Sequence, residues 1–263
     1  GDPTGAALQY AEAVRAAEQA IDINPENATA HAYAAGGLVL PGDARFYERA
    51  QEMADYAVFL EPDNPTARYY MATVFTYLGF YTAAREQFQL GIQADPSDVE
   101  LYIGLAYNFF GTGNVPEAIL SFEDAIAVAP ESASAYDGLA YMYLQLGQEP
   151  TAEEYALQAV ELDPDLARAR GRLGEAYFRQ NNYPNAIEQL EVAVDLYGEA
   201  TDLNARFFNM LATSYVRNSL ADCDQAVPLF EQVTGVAPVG SLLLTQAQEG
   251  LDMCRRAPLE SGG

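Results

Sequence analysis

The residues of this chain that could do chemistry are few. His31 is the sole histidine, so neither a Ser-His-Asp nor a Cys-His arrangement can be assembled from independent residues. No HExxH pair and no glycine-rich phosphate loop is present. Cys223 and Cys254 cannot form a zinc site alone. Asp222 and Asp224 lack the loop of an EF-hand and read as a solvated acidic turn. Carboxylates such as Glu153 and Glu154 are plentiful, and composition alone permits a two-acid hydrolase, the weakest of the functional readings. The expectation is a protein that is not an enzyme, with no catalytic residue, metal or cofactor. Asn27-Ala28-Thr29 is a glycosylation sequon at a turn between helices, which makes Asn27 a candidate for modification.

Charge narrows the partners. Thirteen basic residues, all arginine, face 38 acidic ones, and the net charge is -25. Such a surface repels phosphate backbones and anionic membranes, so nucleic-acid binding is disfavoured, and the acids serve first to keep the chain soluble. Half of the residues are hydrophobic and 11% are aromatic, enough apolar surface to fold. No stretch reaches the ~20 apolar residues of a membrane helix, because the uncharged run 28–42 is shorter and contains His31 and Pro41. The chain begins at Gly1 without Met or a leader, which reads as a processed product or a fragment.

The elements that must position these residues repeat. Pro62, Pro96, Pro130 and Pro164 fall 34 residues apart, Gly198 takes the next place, and Pro25 and Pro238 mark stretched units at either end. Small residues recur at Ala50, Ala84, Ala118, Ala152, Ala186 and Ala226, and again at Ala35, Ala72, Ala106, Ala140, Gly174 and Ala212. Large ones recur at Leu38, Phe75, Phe109, Tyr143, Tyr177 and Tyr215. Small residues let two helices cross closely and large ones fill the space around the crossing. Pro116, Pro150 and Pro184 fit the first turn of a helix, where a missing N–H costs nothing, while Asp98 and Ser132 are placed to cap helices that follow Pro96 and Pro130. Each unit is therefore a helical hairpin that buries its apolar face only by stacking on its neighbours.

This pattern resembles the tetratricopeptide repeat family, although the Trp usual in the first helix is replaced by His31, Arg68, Tyr102, Tyr136, Arg170 and Phe208. The resemblance implies an all-α, right-handed α-solenoid of tandem hairpins forming one elongated domain over residues 1–263. Repeats read as 28–61, 65–98, 99–132, 133–166 and 167–200, with an expanded sixth over 205–240, irregular near 199–204 and 221–225. A capping helix follows over 241–256. His31 stands where the family has a packing aromatic and reads as packing. The first helices line the family's concave groove. The resemblance places Tyr69, Thr73, Tyr77, Ile103, Tyr107, Phe110, Asp137, Tyr141, Leu144, Arg168, Glu175 and Arg179 there, some of which will instead pack between hairpins. Tyrosine offers apolar area and a hydroxyl at low entropic cost, which suits a protein-binding groove. Arg168 and Arg172 resemble one part of the clamp by which some family members hold a chaperone's carboxyl terminus. Gly138, Ile103 and Tyr107 occupy the other places and lysine is absent, so that reading is rejected.

The two ends differ. Residues 1–24, with Leu8, Ala13, Val14, Ala17 and Ile21, match a hairpin's second helix whose first helix is missing from the sequence, so an apolar face needs cover. Leu243 and Leu251 give residues 241–256 an apolar face that closes the stack. Cys223, in the last hairpin's loop, and Cys254, at the end of the cap helix, form either a disulfide or two buried thiols; the first tilts localisation toward an extracytoplasmic compartment. The leading functional expectation is a scaffold for protein association, assembling end to end into a filament through Leu8, Val14, Ala17, Ile21, Leu243 and Leu251. The alternative is capture of a peptide or protein in the aromatic groove, with Tyr107 and Tyr141 near its centre.

Overall fold

The computed structural model describes residues 3–219 and 222–256, with side chains from residue 9 onward. Among the described residues there are fourteen α-helices and no strand. They are α1 (Pro3–Ile23), α2 (Ala28–Val39), α3 (Tyr47–Leu60), α4 (Pro65–Tyr77), α5 (Tyr81–Ala94), α6 (Val99–Gly111), α7 (Val115–Val128), α8 (Ala133–Gln145), α9 (Glu149–Leu162), α10 (Ala167–Arg179), α11 (Tyr183–Tyr197), α12 (Ala205–Asn218), α13 (Cys223–Val236) and α14 (Leu242–Arg256). A 3-10 turn, Ala44–Phe46, precedes α3. The fold is an α-solenoid of consecutive hairpins. Its contacts divide it into two compact units, Thr4–Ala135 and Tyr136 onward.

In the first unit, helix starts follow from their caps. Asn27, Asn64 and Asp98 accept hydrogen bonds from the amides of Ala30 (3.0 Å), Ala67 (3.0 Å) and Glu100 (3.1 Å), satisfying donors that the first turn leaves open. The turn inside each hairpin requires one left-handed residue. Gly42, Gly79, Gly113 and Gly147 fill it at φ 67° to 81°, and the equivalent place in the following hairpin holds Asn181 at φ 58°, the side chain best tolerated there after none at all.

The places where the family carries Trp do more than pack. His31 Nε2 donates to the carbonyl of Pro25 (2.9 Å), Arg68 Nε to Pro62 (2.7 Å), Tyr102 Oη to Pro96 (3.2 Å) and, in the second unit, Arg170 Nε to Pro164 (3.1 Å). Each ties a first helix to the turn six residues before it, using a carbonyl that the proline-broken helix leaves unpaired. Arg68 and Arg170 also donate to Gln87 (2.5 Å) and Gln189 (2.8 Å), the same pair of places in two repeats. His31 Nε2 is thus the donor toward Pro25, while Nδ1 lies 3.4 Å from the Met53 sulfur.

The second unit uses the same packing. Ala152, Ala186 and Ala226 are fully buried, as are Ala50, Ala84 and Ala118 in the first unit. Pro150 and Pro184 stand in the first turns of α9 and α11, as Pro116 does in α7 of the first unit, whereas Pro228 lies inside α13, further from its start than its counterparts are from theirs. The extra residues ahead of α12 are pinned rather than loose. Buried Asn204 accepts from the Thr201 amide (2.6 Å) and donates to the Glu199 carbonyl (3.1 Å), and the Ala200 amide reaches Gln232 (3.2 Å). No described helix is long and apolar enough to cross a membrane.

Candidate functional site

Three groups of residues could carry function. The first is α1. Val14 lies so close to Gly37 of α2 that a Cβ there would sit 2.5 Å from its Cγ2, Ala17 is buried, and Glu18 pairs with Arg49 of α3 at 2.5 Å. Ile21 lines a cavity of about 290 Å³ with Leu38 and Met53. Val14, Ala17 and Ile21 thus face the chain's own α2 and α3, and the outward side is carried instead by Ala13, Ala16, Ala20 and Ile23. Ala13 is the place filled by Ala50, Ala84, Ala118, Ala152, Ala186 and Ala226. Those six are 0% exposed, and Ala13 is exposed. Leu8 lies on α1 but its side chain is outside the described residues.

At the other end α14 repeats the register of a first helix. A Cβ on Gly250 would meet the Phe230 ring at 2.3 Å, as one on Gly104 would meet Phe88 at 2.4 Å, and Leu251 matches Leu105, each 8% exposed. Leu251 and Leu243 therefore pack on Phe230 and its neighbours within the chain. One and four places further on, where Ala106 and Phe109 stand in that first helix, α14 carries Asp252 and Arg255, ion-paired at 3.4 Å. Its outward side is charged. Cys223 at the start of α13 is joined to Cys254 near the end of α14, with Cα atoms 5.5 Å apart.

The groove candidates fall into two kinds. In the first unit Tyr69 stacks edge-on to Phe88 (6.0 Å), Tyr107 edge-on to Phe122 (5.2 Å), and half-exposed Tyr77 donates to the Leu40 carbonyl (3.2 Å). These rings bridge helices as well as facing outward. Phe110 is partly buried on α6. Burial, with the Glu100 carboxylate adding to it, pushes the Tyr69 hydroxyl up to about 12.

In the second unit the candidates converge into one network. Arg168 is ion-paired to fully buried Asp137. Arg172, itself buried, lies 3.8 Å from Asp137 and 3.6 Å from buried Glu175, which pairs with Arg179 at 2.6 Å and Arg206 at 3.8 Å. The Arg172 guanidinium sits 4.0 Å above the Tyr141 ring and that of Arg206 4.4 Å above Phe207. Four guanidiniums face two carboxylates, a local excess of two positive charges in a chain of net charge -25. Arg206, Asn209 and Arg217 were not among the expected residues. Arg206 and Arg217 stand 38 residues after Arg168 and Arg179, the repeat length once the extra residues before α12 are allowed for, and that spacing is the signal that marks them.

At the sequon, the Asn27 side-chain oxygen caps α2, and Thr29 accepts from Asn64 at 3.1 Å. Among the described residues no cluster of His, Cys, Asp and Glu is arranged to hold a metal.

Comparison with known proteins agrees with this architecture. The tetratricopeptide repeat model matches residues 42–99, 103–167 and 150–201. No match is found among curated proteins. Among solved structures the chain is similar to PilF of Pseudomonas aeruginosa (TM-score 0.69, 18% identity, covering 86% of this chain and 98% of that one). It is similar to PilW, a type IV pilus biogenesis factor (TM-score 0.62, 18% identity, 76% and 90%). It also resembles a structure of the APC/C hetero-tetramer Cut9–Hcn1 (TM-score 0.68, 15% identity, 93% of this chain), of which it spans about half the length, 52%. At these identities the likeness is one of fold. With its periodic prolines, buried alanine ladder and matched repeats, the chain belongs to the tetratricopeptide repeat family.

Proposed function

We propose that this protein is a non-enzymatic scaffold that associates end to end, the α1 side of one copy receiving α14 of the next. The fold is that of a protein-interaction scaffold. The observation that carries the finer reading is Ala13, exposed where six equivalents are wholly buried by a partner helix. Among the described residues, α1 is a second helix without its first and α14 is a first helix without its second. The α1 alanines leave room for the Asp252–Arg255 pair, and exposed Glu12 and Arg15 flank Ala13 with a charge of each sign. Such a contact is heterologous and need not close, so it grows into a filament. The Cys223–Cys254 bond supports an oxidising, extracytoplasmic setting. The test is Ala13→Asp, which removes assembly and leaves the monomer folded; fibres that persist in this variant overturn the contact. Leu8 and Val14 are less decisive targets, since Val14 also holds α1 onto α2.

A second reading, capture of a protein segment on the first-helix side, is favoured by the arginine network of α10 and α12. Replacing Arg168 and Arg179 with Gln weakens capture without touching end-to-end assembly, which separates the two readings.

A further inference from the structure

In the second unit, charge is sorted by helix. Helices α10 and α12 hold six of the thirteen arginines, Arg168, Arg170, Arg172, Arg179, Arg206 and Arg217, and a single acid, Glu175. Helices α9, α11 and α13 hold nine acids and no base. The arginine side meets α14 at a cavity of about 380 Å³, whose wall includes Arg206, Asn209, Met210, Arg217, Leu243 and Met253. Asn209 is 7% exposed, and its side-chain oxygen is buried without a hydrogen-bond partner. A buried amide oxygen left unpaired is unfavourable, and a ligand that brings an N–H to it removes that cost. Arg217 is exposed, and no carboxylate among the described residues pairs with it; the Arg206 guanidinium is 3.8 Å from Glu175, too loose to saturate its donors. One acid, Glu249, is in the wall.

We infer that this cavity is the anchor of a binding surface for an acidic peptide segment. Carboxylates would engage Arg206 and Arg217, a main-chain N–H would reach the Asn209 oxygen, and an apolar side chain would enter between Met210, Leu243 and Met253. The inference rests on the second functional reading and names the partner's chemistry. The acidity of the whole chain does not forbid it. Screening over about 8 Å at physiological ionic strength leaves a docked segment governed by nearby arginines rather than by distant carboxylates. Arginine also suits the task, because its planar fork holds a carboxylate with two parallel hydrogen bonds. The thioethers of Met210 and Met253 supply an adaptable floor.

The test is fluorescence anisotropy at physiological salt with two labelled peptides of ten residues, one with glutamates between leucines and one with glutamines in their place. The inference requires the glutamate peptide to bind about tenfold more tightly, and Arg217→Gln to remove most of that preference. Arg217 is exposed, so this variant keeps the parent's thermal stability. Asn209→Leu, which removes the buried acceptor, weakens both peptides alike. If both bind equally and Arg217→Gln changes nothing, the acidic preference is overturned while capture on this side stands. If neither binds, both are overturned.

Discussion

The two ends of this chain are built from the same repeat and finished in opposite ways. At α1 the outward place holds Ala13, bare. At α14 it holds Asp252 and Arg255, and the helix is stapled to the last hairpin by Cys223–Cys254. In a solenoid each hairpin draws stability from its neighbours alone, so an end must either present a polar outer side or borrow a neighbour. The α14 end does the first. In the association we propose, the α1 end, with small apolar residues in the place of a helix crossing, does the second.

The sharpest way to break this comparison is to make one substitution at equivalent places. Ala118→Asp buries an unpaired carboxylate at a fully buried position and should cost about 4 kcal/mol or more, whereas Ala13→Asp should leave the monomer's denaturant midpoint unchanged. Equal losses would mean that α1 is covered as the other second helices are. Next in size is the staple. Replacing both cysteines with serine releases a closure of 31 residues and should lower stability by about 3–4 kcal/mol, read in the unfolding of residues near α13 and α14, with α2–α5 unaffected. A smaller effect, about 1 kcal/mol, is expected for His31→Phe, which keeps a ring in place but strips the Pro25 carbonyl of its donor. Retained stability there would reduce the family's Trp position to packing alone.

The smallest expected effect is visible only in alkali. The Tyr69 hydroxyl is raised from 10 to about 12 in the folded chain, so the unfolded state releases this proton first. Stability from this group is complete below pH 10 and falls as pH rises toward 12. Tyr69→Phe should remove that part of the decline, moving the alkaline unfolding midpoint upward while the midpoint at pH 7 stays nearly fixed. Burial also raises Tyr215 strongly, with the Glu191 carboxylate that accepts its hydrogen bond adding to it, so some alkaline sensitivity remains.

Much of this architecture is legible in the residues because it is written in a period. The prolines, alanines and aromatics mark hairpins, and the turns demand glycine or asparagine where Gly113 and Asn181 stand. Side-chain direction is another matter. Val14 and Ala17 read as an apolar face in need of cover, and only packing shows that Val14 lies against Gly37 and that Ala17 is buried, whereas Leu243 and Leu251 pack on Phe230 and its neighbours as a closing face does. The Arg168–Asp137–Arg172–Glu175 network joins residues of two first helices, which no local spacing reports. Arg206 and Arg217 hide behind the residues pinned by Asn204, which shift the repeat from 34 to 38.

The measurement that bears most directly on the proposal compares the parent protein with Ala13→Asp by sedimentation velocity and negative-stain microscopy across a concentration series, at low and high salt. The account predicts fibres that lengthen with concentration and shorten as salt screens the Asp252–Arg255 end, and a folded monomer for the variant at every concentration. A parent that stays monomeric throughout, or fibres unchanged by Ala13→Asp, would contradict it.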